Sequence, residues 1–335
     1  MYLITGGAGY IGSHMAFKML DLGFDIVVFD NLETGHIEII DALKNANSKG
    51  KFKGFIKGDL KNKKDVDEIF KNFKIDGVIH FAAYSLVGES VKEPKKYWHN
   101  NVFGTLNLLD SMIENKVDKI VFSSTCATYG EPKYTPIDES HPQNPINPYG
   151  QSKLAVEKIM DDYDKAYNLK SVRLRYFNVA GADKKGRCGE WHNIETHLIP
   201  NIIKSTFDNN KTFEIYGNTY NTKDGTCIRD YIDMEDLIEA HILALKYLEN
   251  GGKTDFFNLG TEQGNSVMEV FECAKEIIGK EIKYEIKEKR EGDPQTLIGD
   301  NKKATKILGW TPKNSLKDSI KNAYLWEKTR IEKFQ

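Results

Sequence analysis

The chain has 335 residues, of which 40% are hydrophobic and 29% are charged, and its formal net charge is −2. This composition is typical of a globular protein with one large core or two unequal domains. Both signs of charge are spread along the chain, and no apolar run reaches the roughly 18 residues of a membrane span. We therefore expect neither a nucleic-acid nor a membrane partner. The first predicted strand begins at the N-terminus, which favours a cytoplasmic protein.

Cysteines and histidines show no spacing suited to zinc. The four cysteines are far apart, and the eight histidines form no H-E-x-x-H motif. The sequence therefore predicts no metal site and four reduced thiols. Cys126 is the one cysteine beside a motif, and we expect it to serve in packing.

A glycine-rich turn follows the first predicted strand. Gly6, Gly9 and Gly12 lie in TGGAGYIG, where missing Cβ atoms allow a tight turn and let a pyrophosphate approach the start of the next helix. Asp30 ends the next strand, where a carboxylate accepts both ribose hydroxyls of adenosine and repels a 2′-phosphate. Each motif alone is also typical of a ligand-free helix start or a turn cap. Together, at this spacing, they predict NAD rather than NADP.

Strand-like apolar runs alternate with amphipathic helical stretches through about residue 176. This alternation predicts a Rossmann-type α/β fold with a doubly wound parallel sheet, in which ligands bind beyond the carboxyl ends of the strands. We expect residues 1–176 to form the NAD-binding domain and residues 177–335 a smaller α/β substrate domain. The predicted strands of the sheet are Tyr2–Thr5, Phe24–Asp30, Phe52–Asp59, Gly77–Ala83, Lys119–Thr125 and Ser171–Tyr176.

Tyr149 and Lys153 lie one turn apart on a predicted helix that begins at Pro148. The step of four places both on one face, where the ammonium favours the phenolate and so the use of the tyrosine as a base. Thr125 ends the preceding strand, and its hydroxyl can relay a hydrogen bond between a sugar hydroxyl and Tyr149, with Ser123 and Ser124 as alternative donors. Alone, these residues are also typical of a core tyrosine with a lysine alongside and of a strand threonine. Beside the glycine turn, catalysis is the favoured interpretation.

At these motifs the chain resembles the extended short-chain dehydrogenase/reductases, and within them the UDP-hexose 4-epimerases, over essentially its whole length. Strings shared with the wider superfamily are TGGAGYIGSH, VFDNLETGH, HFAAYSLVGESV, NNVFGTLNLL, FSSTCATYG, NPYGQSK, LRYFNVAGA and FNLG. A narrower set is ETHLIP at 195–200, DGTCIRDYI at 224–232 and REGDP at 290–294.

The resemblance implies two sets of binding residues. Those for NAD are Gly6, Gly9, Tyr10, Ile11, Gly12, Asp30, Asn31, Asp59, Leu60, Phe81, Ala82, Ala83, Ser85, Asn100, Lys153 and Phe177. Those for the UDP-sugar are Thr125, Tyr149, Asn178, His197, Leu198, Tyr216, Arg229, Arg290, Asp293 and Leu297. The two arginines suit a diphosphate, because guanidinium binds it through parallel hydrogen bonds, although a surface ion pair is the alternative for each. Ser85 departs from the lysine of some members, which leaves that cofactor contact open.

The activity implied by the resemblance is reversible interconversion of UDP-galactose and UDP-glucose through a transient 4-keto sugar, with tightly bound NAD. A sugar-nucleotide dehydratase and a UDP-glucuronate decarboxylase share the fold and the Tyr/Lys pair. Members with those activities typically carry Asp-Glu or a Glu near the strand-end threonine, where this chain has Cys126-Ala127. A non-catalytic dinucleotide sensor is a further alternative, but such proteins tend to lose the Tyr/Lys pair.

The resemblance also bears on assembly and specificity. It implies a homodimer built from helices near residues 97–115 and 150–168, although the apolar stripe of the second helix would equally suit burial within one subunit. At the position of Leu297, members confined to glucose and galactose tend to have tyrosine, and members that accept N-acetylhexosamines have smaller residues. Leucine is intermediate in size and therefore predicts full activity on UDP-galactose and measurable but weaker activity on UDP-N-acetylgalactosamine, unless it only packs in the core.

Overall fold

The structure, a computed structural model, describes residues 1–208, 212–290 and 294–334. Contacts divide the chain into two compact units. The first unit comprises residues 1–131, 139–175 and 238–257, and the second comprises residues 132–138, 176–237 and 258–335. This division differs from a single boundary at residue 176, because the chain returns to the first unit after residue 237. No helix within the described ranges is long and apolar enough to cross a membrane.

A seven-stranded sheet organises the first unit, with strand order β10-β6-β5-β4-β1-β2-β3. The neighbours from β6 to β3 pair in parallel. This is the doubly wound α/β sheet predicted from the sequence, and all six predicted strands are confirmed to within a few residues. The strands are β1 (Tyr2–Thr5), β2 (Ile26–Asp30), β3 (Phe52–Lys57), β4 (Gly77–His80), β5 (Lys119–Ser123), β6 (Lys170–Tyr176) and β10 (Asp255–Leu259).

Helical segments connect these strands, and α1 and α2 pack against β1, β2 and β3. The helices are α1 (Tyr10–Leu22), α2 (Ile37–Lys44), α3 (Lys63–Asn72), α4 (Val87–Lys92), α5 (Pro94–Tyr97), a π-helix (Trp98–Phe103), α6 (Gly104–Glu114), a 3₁₀ turn (Cys126–Thr128), α7 (Pro148–Tyr167) and α9 (Met234–Glu249). On α7 the predicted stripe packs within one subunit, since Val156 and Met160 lie fully buried in the core with Leu108 and Ile120. Tyr167, at the end of that stripe, is 59% exposed.

The second unit has two small sheets and its own apolar core. In the larger sheet β9 pairs with β7, β11 and β13, and in the smaller one β8 pairs with β12. The strands are β7 (Asn178–Ala180), β8 (Phe213–Tyr216), β9 (Ile228–Asp233), β11 (Gly264–Ser266), β12 (Tyr284–Lys287) and β13 (Thr296–Leu297). The helices are α8 (Leu198–Ser205), α10 (Val267–Ile278), α11 (Lys302–Leu308) and α12 (Leu316–Phe334). The core includes Ile202, Phe271 and Ile320.

Candidate active site

In the glycine turn between β1 and α1, backbone atoms leave no room for a side chain at Gly12 or Gly6. A Cβ at Gly12 would lie 2.1 Å from the Gly6 carbonyl oxygen, and one at Gly6, whose φ is +70°, would lie 2.7 Å from the Ala82 nitrogen. Gly9 is the N-cap of α1 and gives the helix no side-chain cap. The N-cap residue therefore supplies no side-chain acceptor to the first N–H groups of α1, the helix that starts with Tyr10 and Ile11. Such a helix start binds an anionic group well, so this turn fits a dinucleotide pyrophosphate.

Asp30 lies at the carboxyl end of β2, next to this turn, and is 7% exposed. Its Oδ2 accepts the Ala8 N–H at 3.0 Å, and its Oδ1 accepts the Leu32 N–H at 2.8 Å. Burial raises the pKa of Asp30, although both N–H donors oppose the rise. The carboxylate thus holds the turn in place and also caps the following loop, where the Asn31 side chain accepts the Glu33 N–H at 3.0 Å.

Other cofactor candidates follow β3 and β4. The Phe81 N–H donates to the Thr5 carbonyl at 3.1 Å, which ties the segment 81–83 to the end of β1. Asp59 caps its own turn by accepting the Lys61 N–H at 2.8 Å. Asn100 is buried in the π-helix and donates to Asn101, whereas Ser85 is exposed. Leu60 packs in the core of the first unit, so its side chain is committed there.

Lys153 is the most deeply buried member of the predicted catalytic set. It is 3% exposed, and its Nζ donates to the Ser123 carbonyl oxygen at 2.7 Å and lies 4.7 Å from the centroid of the Phe122 ring. Burial lowers the pKa of Lys153 to about 7, and the nearby Glu157 carboxylate opposes the shift. The helix thereby fixes the ammonium to the end of β5, the strand that leads into Thr125.

Thr125 is the N-cap of the 3₁₀ turn that follows β5, and Tyr149 lies near the start of α7. Tyr149 is in the first turn of α7, where the Asn147 side chain caps the helix by accepting the Gly150 N–H at 2.9 Å. Its half-buried ring meets that of Tyr97 edge to face, with centroids 6.4 Å apart. The buried Thr125 hydroxyl accepts the Ala127 N–H at 3.1 Å, which leaves its own hydrogen available to donate.

A buried ionic network supports this set and was missed in the sequence. Arg175 on β6 and Glu157 on α7 are each 3% exposed and pair through two hydrogen bonds, of which Nε to Oε1 is 2.9 Å. The Ser124 hydroxyl donates to Glu157, so its hydrogen is used in the network, and its role as an alternative donor to substrate stays a prediction. Arg175 also donates to the Tyr129 hydroxyl at 2.8 Å. A signal was present, since Arg175 interrupts a buried strand and Glu157 follows Lys153 by one turn.

The second unit holds the remaining candidate residues. Arg229 on β9 is 8% exposed and lies opposite Leu297 of β13 in the strand register. The Arg290 guanidinium lies 4.1 Å from the centroid of the Tyr216 ring at the end of β8. Their placement brings each arginine beside a candidate for sugar or base contact. Asn178 begins β7, Phe177 is buried beside Gly299, and Asp293 lies outside the described residues.

His197 and Leu198 mark the start of α8, with His197 as the N-cap. The His197 side chain does not cap the helix but contacts the Glu190 carboxylate through Nδ1. Burial lowers the pKa of His197, but the Glu190 and Glu195 carboxylates together outweigh burial and raise the pKa overall. The imidazole is therefore engaged with a carboxylate, and the first backbone N–H groups of α8 have no side-chain cap.

Comparison with known proteins places the chain among nucleotide-sugar enzymes. The GDP-mannose 4,6 dehydratase family matches residues 3–323. The UDP-glucose 4-epimerase of Lactobacillus helveticus is 49% identical over 334 residues, which cover 99% of this chain and 98% of the relative. A crystal structure of a UDP-glucose 4-epimerase superposes with a TM-score of 0.94 at 45% identity, covering 100% of this chain and 99% of the other. The enzyme from Bifidobacterium longum in complex with NAD⁺ and UDP has a TM-score of 0.92 at 36% identity, with 99% of each chain covered.

Proposed function

The chain belongs to the GDP-mannose 4,6 dehydratase family and, within it, to the UDP-glucose 4-epimerases, and we propose that it interconverts UDP-galactose and UDP-glucose. The proposal rests most directly on Tyr149 and Lys153, which lie one turn apart on α7, with Lys153 bonded to the strand that leads into Thr125. This arrangement supplies a base, a fixed cation and a hydroxyl relay at one strand end. It is the set that removal and return of a sugar hydroxyl proton require.

NAD fits the residues of the first unit. The glycine turn has backbone where a Cβ would stand, and Asp30 lies beside it with a buried carboxylate. Held by these residues, NAD would supply the hydride acceptor and donor for C4 of the sugar. The chain itself binds and orients the cofactor. We assign that binding to the residues carried over from the resemblance, with Ser85 as the weakest member because its side chain is exposed.

The chain's own chemistry is proton transfer. In our assignment Tyr149 takes the proton of the 4-hydroxyl group and gives it back in the second half-reaction, directly or through the hydrogen of Thr125. A charged Lys153 favours the phenolate of Tyr149, because an opposite charge stabilises the ionised form. Burial lowers the pKa of Lys153, and the Glu157 carboxylate, whose own pKa is lowered by its pairing with Arg175, opposes that shift.

Substrate binding is assigned to the second unit. Arg229 and Arg290 provide fixed positive charge for the diphosphate, and the uncapped start of α8 at Leu198 provides N–H donors for the same group. Tyr216, stacked under Arg290, offers a ring for the uracil side. Asn178, His197, Asp293 and Leu297 complete the proposed set. On this basis residues 1–176 mainly bind NAD and residues 177–335 mainly bind the UDP-sugar.

The described residues directly after Thr125 do not include the further acid and base that the alternative activities need. Elimination of water from C5 and C6 requires a further carboxyl group beside the strand-end threonine, as the resembling dehydratases have. Here the 3₁₀ turn after Thr125 contains Cys126, Ala127 and Thr128, of which Cys126 is buried. A non-catalytic sensor would have no need of a buried lysine held against Ser123.

The proposal includes a cytoplasmic homodimer. Trp98, Phe103 and Tyr167 are 38%, 49% and 59% exposed on the π-helix and α7, the elements that the resemblance implicates in the dimer. Apolar rings at such positions are suited to burial against a second copy. None of the four cysteines, all of which lie in the described ranges, forms a disulfide, as in proteins of a reducing compartment. Sedimentation of the purified protein at micromolar concentration should give the mass of two chains, and a single-chain mass would refute the dimer.

The activity is tested by incubating purified protein with UDP-galactose and no added cofactor. We expect UDP-glucose to form, and denatured protein to release NAD(H) into the supernatant, because the redox cycle closes on itself. Tyr149→Phe serves as the control for a contaminating enzyme. Net accumulation of NADH, or product formation that is equal in the variant, would refute the proposed function.

A further inference from the structure

A cluster of metal-ligating side chains precedes α8, in a segment of eight residues that reads E-x-H-x-x-E-x-H. One donor atom of each member lies within 4.8 Å of those of all the others. The members of this His/Glu cluster are Glu190, His192, Glu195 and His197. We propose that the His/Glu cluster is a binding site for a divalent transition-metal ion, for which Zn²⁺ is the probe. The proposal does not rest on the proposed epimerase activity, although one member of the cluster, His197, also belongs to the substrate set assigned above.

The distances suit a four-coordinate ion. Tetrahedral zinc with nitrogen and oxygen ligands at about 2.0–2.2 Å sets its ligand atoms roughly 3.3–3.6 Å apart. His192 Nδ1 lies 3.3 Å from Glu190 Oε1 and 3.7 Å from Glu195 Oε1. His197 Nδ1 also lies 3.7 Å from Glu195 Oε1 and is in direct contact with Glu190. The first of these four separations lies within that range, the two at 3.7 Å exceed it by about 0.1 Å, and the contact between His197 and Glu190 must widen.

The carboxylate ligands are held from outside the cluster. Glu195 Oε1 accepts the Thr196 and His197 N–H groups at 2.9 and 3.0 Å, and Lys204 Nζ lies 3.3 Å from its Oε2. The backbone carbonyl of Glu190 accepts the Trp326 indole N–H at 3.1 Å, which ties the first ligand to α12. Metal sites commonly have such outer hydrogen bonds, because they orient the ligands before the ion binds.

Charge and ligand type point to the same class of ion. Two neutral imidazoles with two carboxylates carry a charge of −2, which one divalent cation neutralises. Imidazole nitrogen favours zinc and its neighbours over magnesium and calcium, which prefer oxygen alone. Because all four positions are occupied by protein atoms, the site is of the closed, structural kind. Its ion would order residues 190–197 directly before α8.

The sequence predicted no metal, since this spacing matches none of the zinc motifs considered there. The structure favours a site because the segment 190–197 turns back on itself and brings both ends together. Glu190 is 6% exposed, so its charge is costly to bury without a cation beside it. A doubly protonated histidine pair would also balance that charge, and it is the outcome to be distinguished from the ion.

The test measures zinc directly on full-length protein from which any polyhistidine tag has been removed. Wild type, His192→Ala, Glu195→Gln and the control His99→Ala are stripped with chelator, dialysed against buffered Zn²⁺ and assayed by mass spectrometry of the metal. His99 is an exposed histidine outside the cluster. We expect one zinc per chain in wild type and in the control, and at least a tenfold loss of affinity in each cluster variant.

Two further measurements distinguish the loss of a zinc site from the misfolding of a variant. Far-UV circular dichroism and thermal melting in chelator establish that the variants are folded before zinc is added. Co²⁺ in place of Zn²⁺ should give the visible absorption of a tetrahedral centre in wild type and not in His192→Ala. A wild-type chain without stoichiometric zinc, or zinc binding that is equal in folded wild type and both cluster variants, would overturn the proposal.

Discussion

In the glycine turn, the effect of adding a single methyl group can be predicted most specifically. In Gly12→Ala the new Cβ would lie 2.1 Å from the Gly6 carbonyl oxygen, whereas an ordinary contact begins at 3.4 Å, so the turn must open by about 1.3 Å. The obstacle is backbone and cannot rotate away. Overpacking of this kind costs about 1–3 kcal/mol, and here we expect the upper end of that range. The displaced turn should also lose most of its bound NAD.

Gly9→Ala tests NAD binding separately from the stability of the fold. Its Cβ would meet only the Gly6 oxygen at 3.4 Å, and its φ of −87° suits alanine. The melting temperature of cofactor-stripped protein should therefore stay near that of wild type, while NAD content falls because a methyl group stands where the pyrophosphate approaches. Gly88→Ala, with no atom within 4 Å of its Cβ, is the matched control. Unchanged melting and NAD content in Gly12→Ala would refute this reasoning.

Three further predictions concern the rest of the site. Tyr149→Phe should lower kcat by roughly 10²- to 10⁴-fold with UDP affinity unchanged in calorimetry, and near-native turnover would exclude it as the base. Glu157→Gln should destabilise the protein by about 3–5 kcal/mol in urea unfolding, because Arg175 stays buried without its charged partner. The control is Lys165→Ala, which removes an exposed ion pair and should cost under about 1 kcal/mol. A cost for Glu157→Gln as small as that of the control would contradict this prediction. Leu297→Tyr should suppress the reaction of UDP-N-acetylgalactosamine selectively and Leu297→Ser should enhance it, whereas equal effects on UDP-galactose would mean a packing role.

The central sheet could be predicted because its strands are short apolar runs that repeat along the chain. Burial on both faces makes β2 and β5 almost wholly hydrophobic, and this signal is local. The seventh strand, β10, was not assigned to the sheet, because its partner β6 lies some 80 residues earlier and no local pattern reports that pairing. The same holds for Ile137, whose N–H donates to the Ile298 carbonyl at 2.8 Å and so joins residues 132–138 to a distant part of the second unit.

For the candidate site too, the sequence reveals local motifs but not the contacts between distant segments. Motif spacing located the glycine turn, Asp30, Thr125 and the Tyr149/Lys153 pair, since these residues depend on neighbours within one turn or one strand end. The partners that fix them were not located. Arg175 meets Glu157 only when β6 and α7 pack together, and the His/Glu cluster forms only when its segment folds back on itself.

The fate of the hydrogen at C4 tests the central claim most directly. UDP-galactose carrying deuterium at C4 is incubated with the purified protein in ordinary water, without added NAD, and the UDP-glucose is examined by mass spectrometry and NMR. We predict full retention of deuterium at C4, because the hydrogen leaves the sugar and returns within one active site while Tyr149 exchanges only the hydroxyl proton. Loss of the deuterium to solvent would contradict the redox mechanism and the roles assigned to its residues.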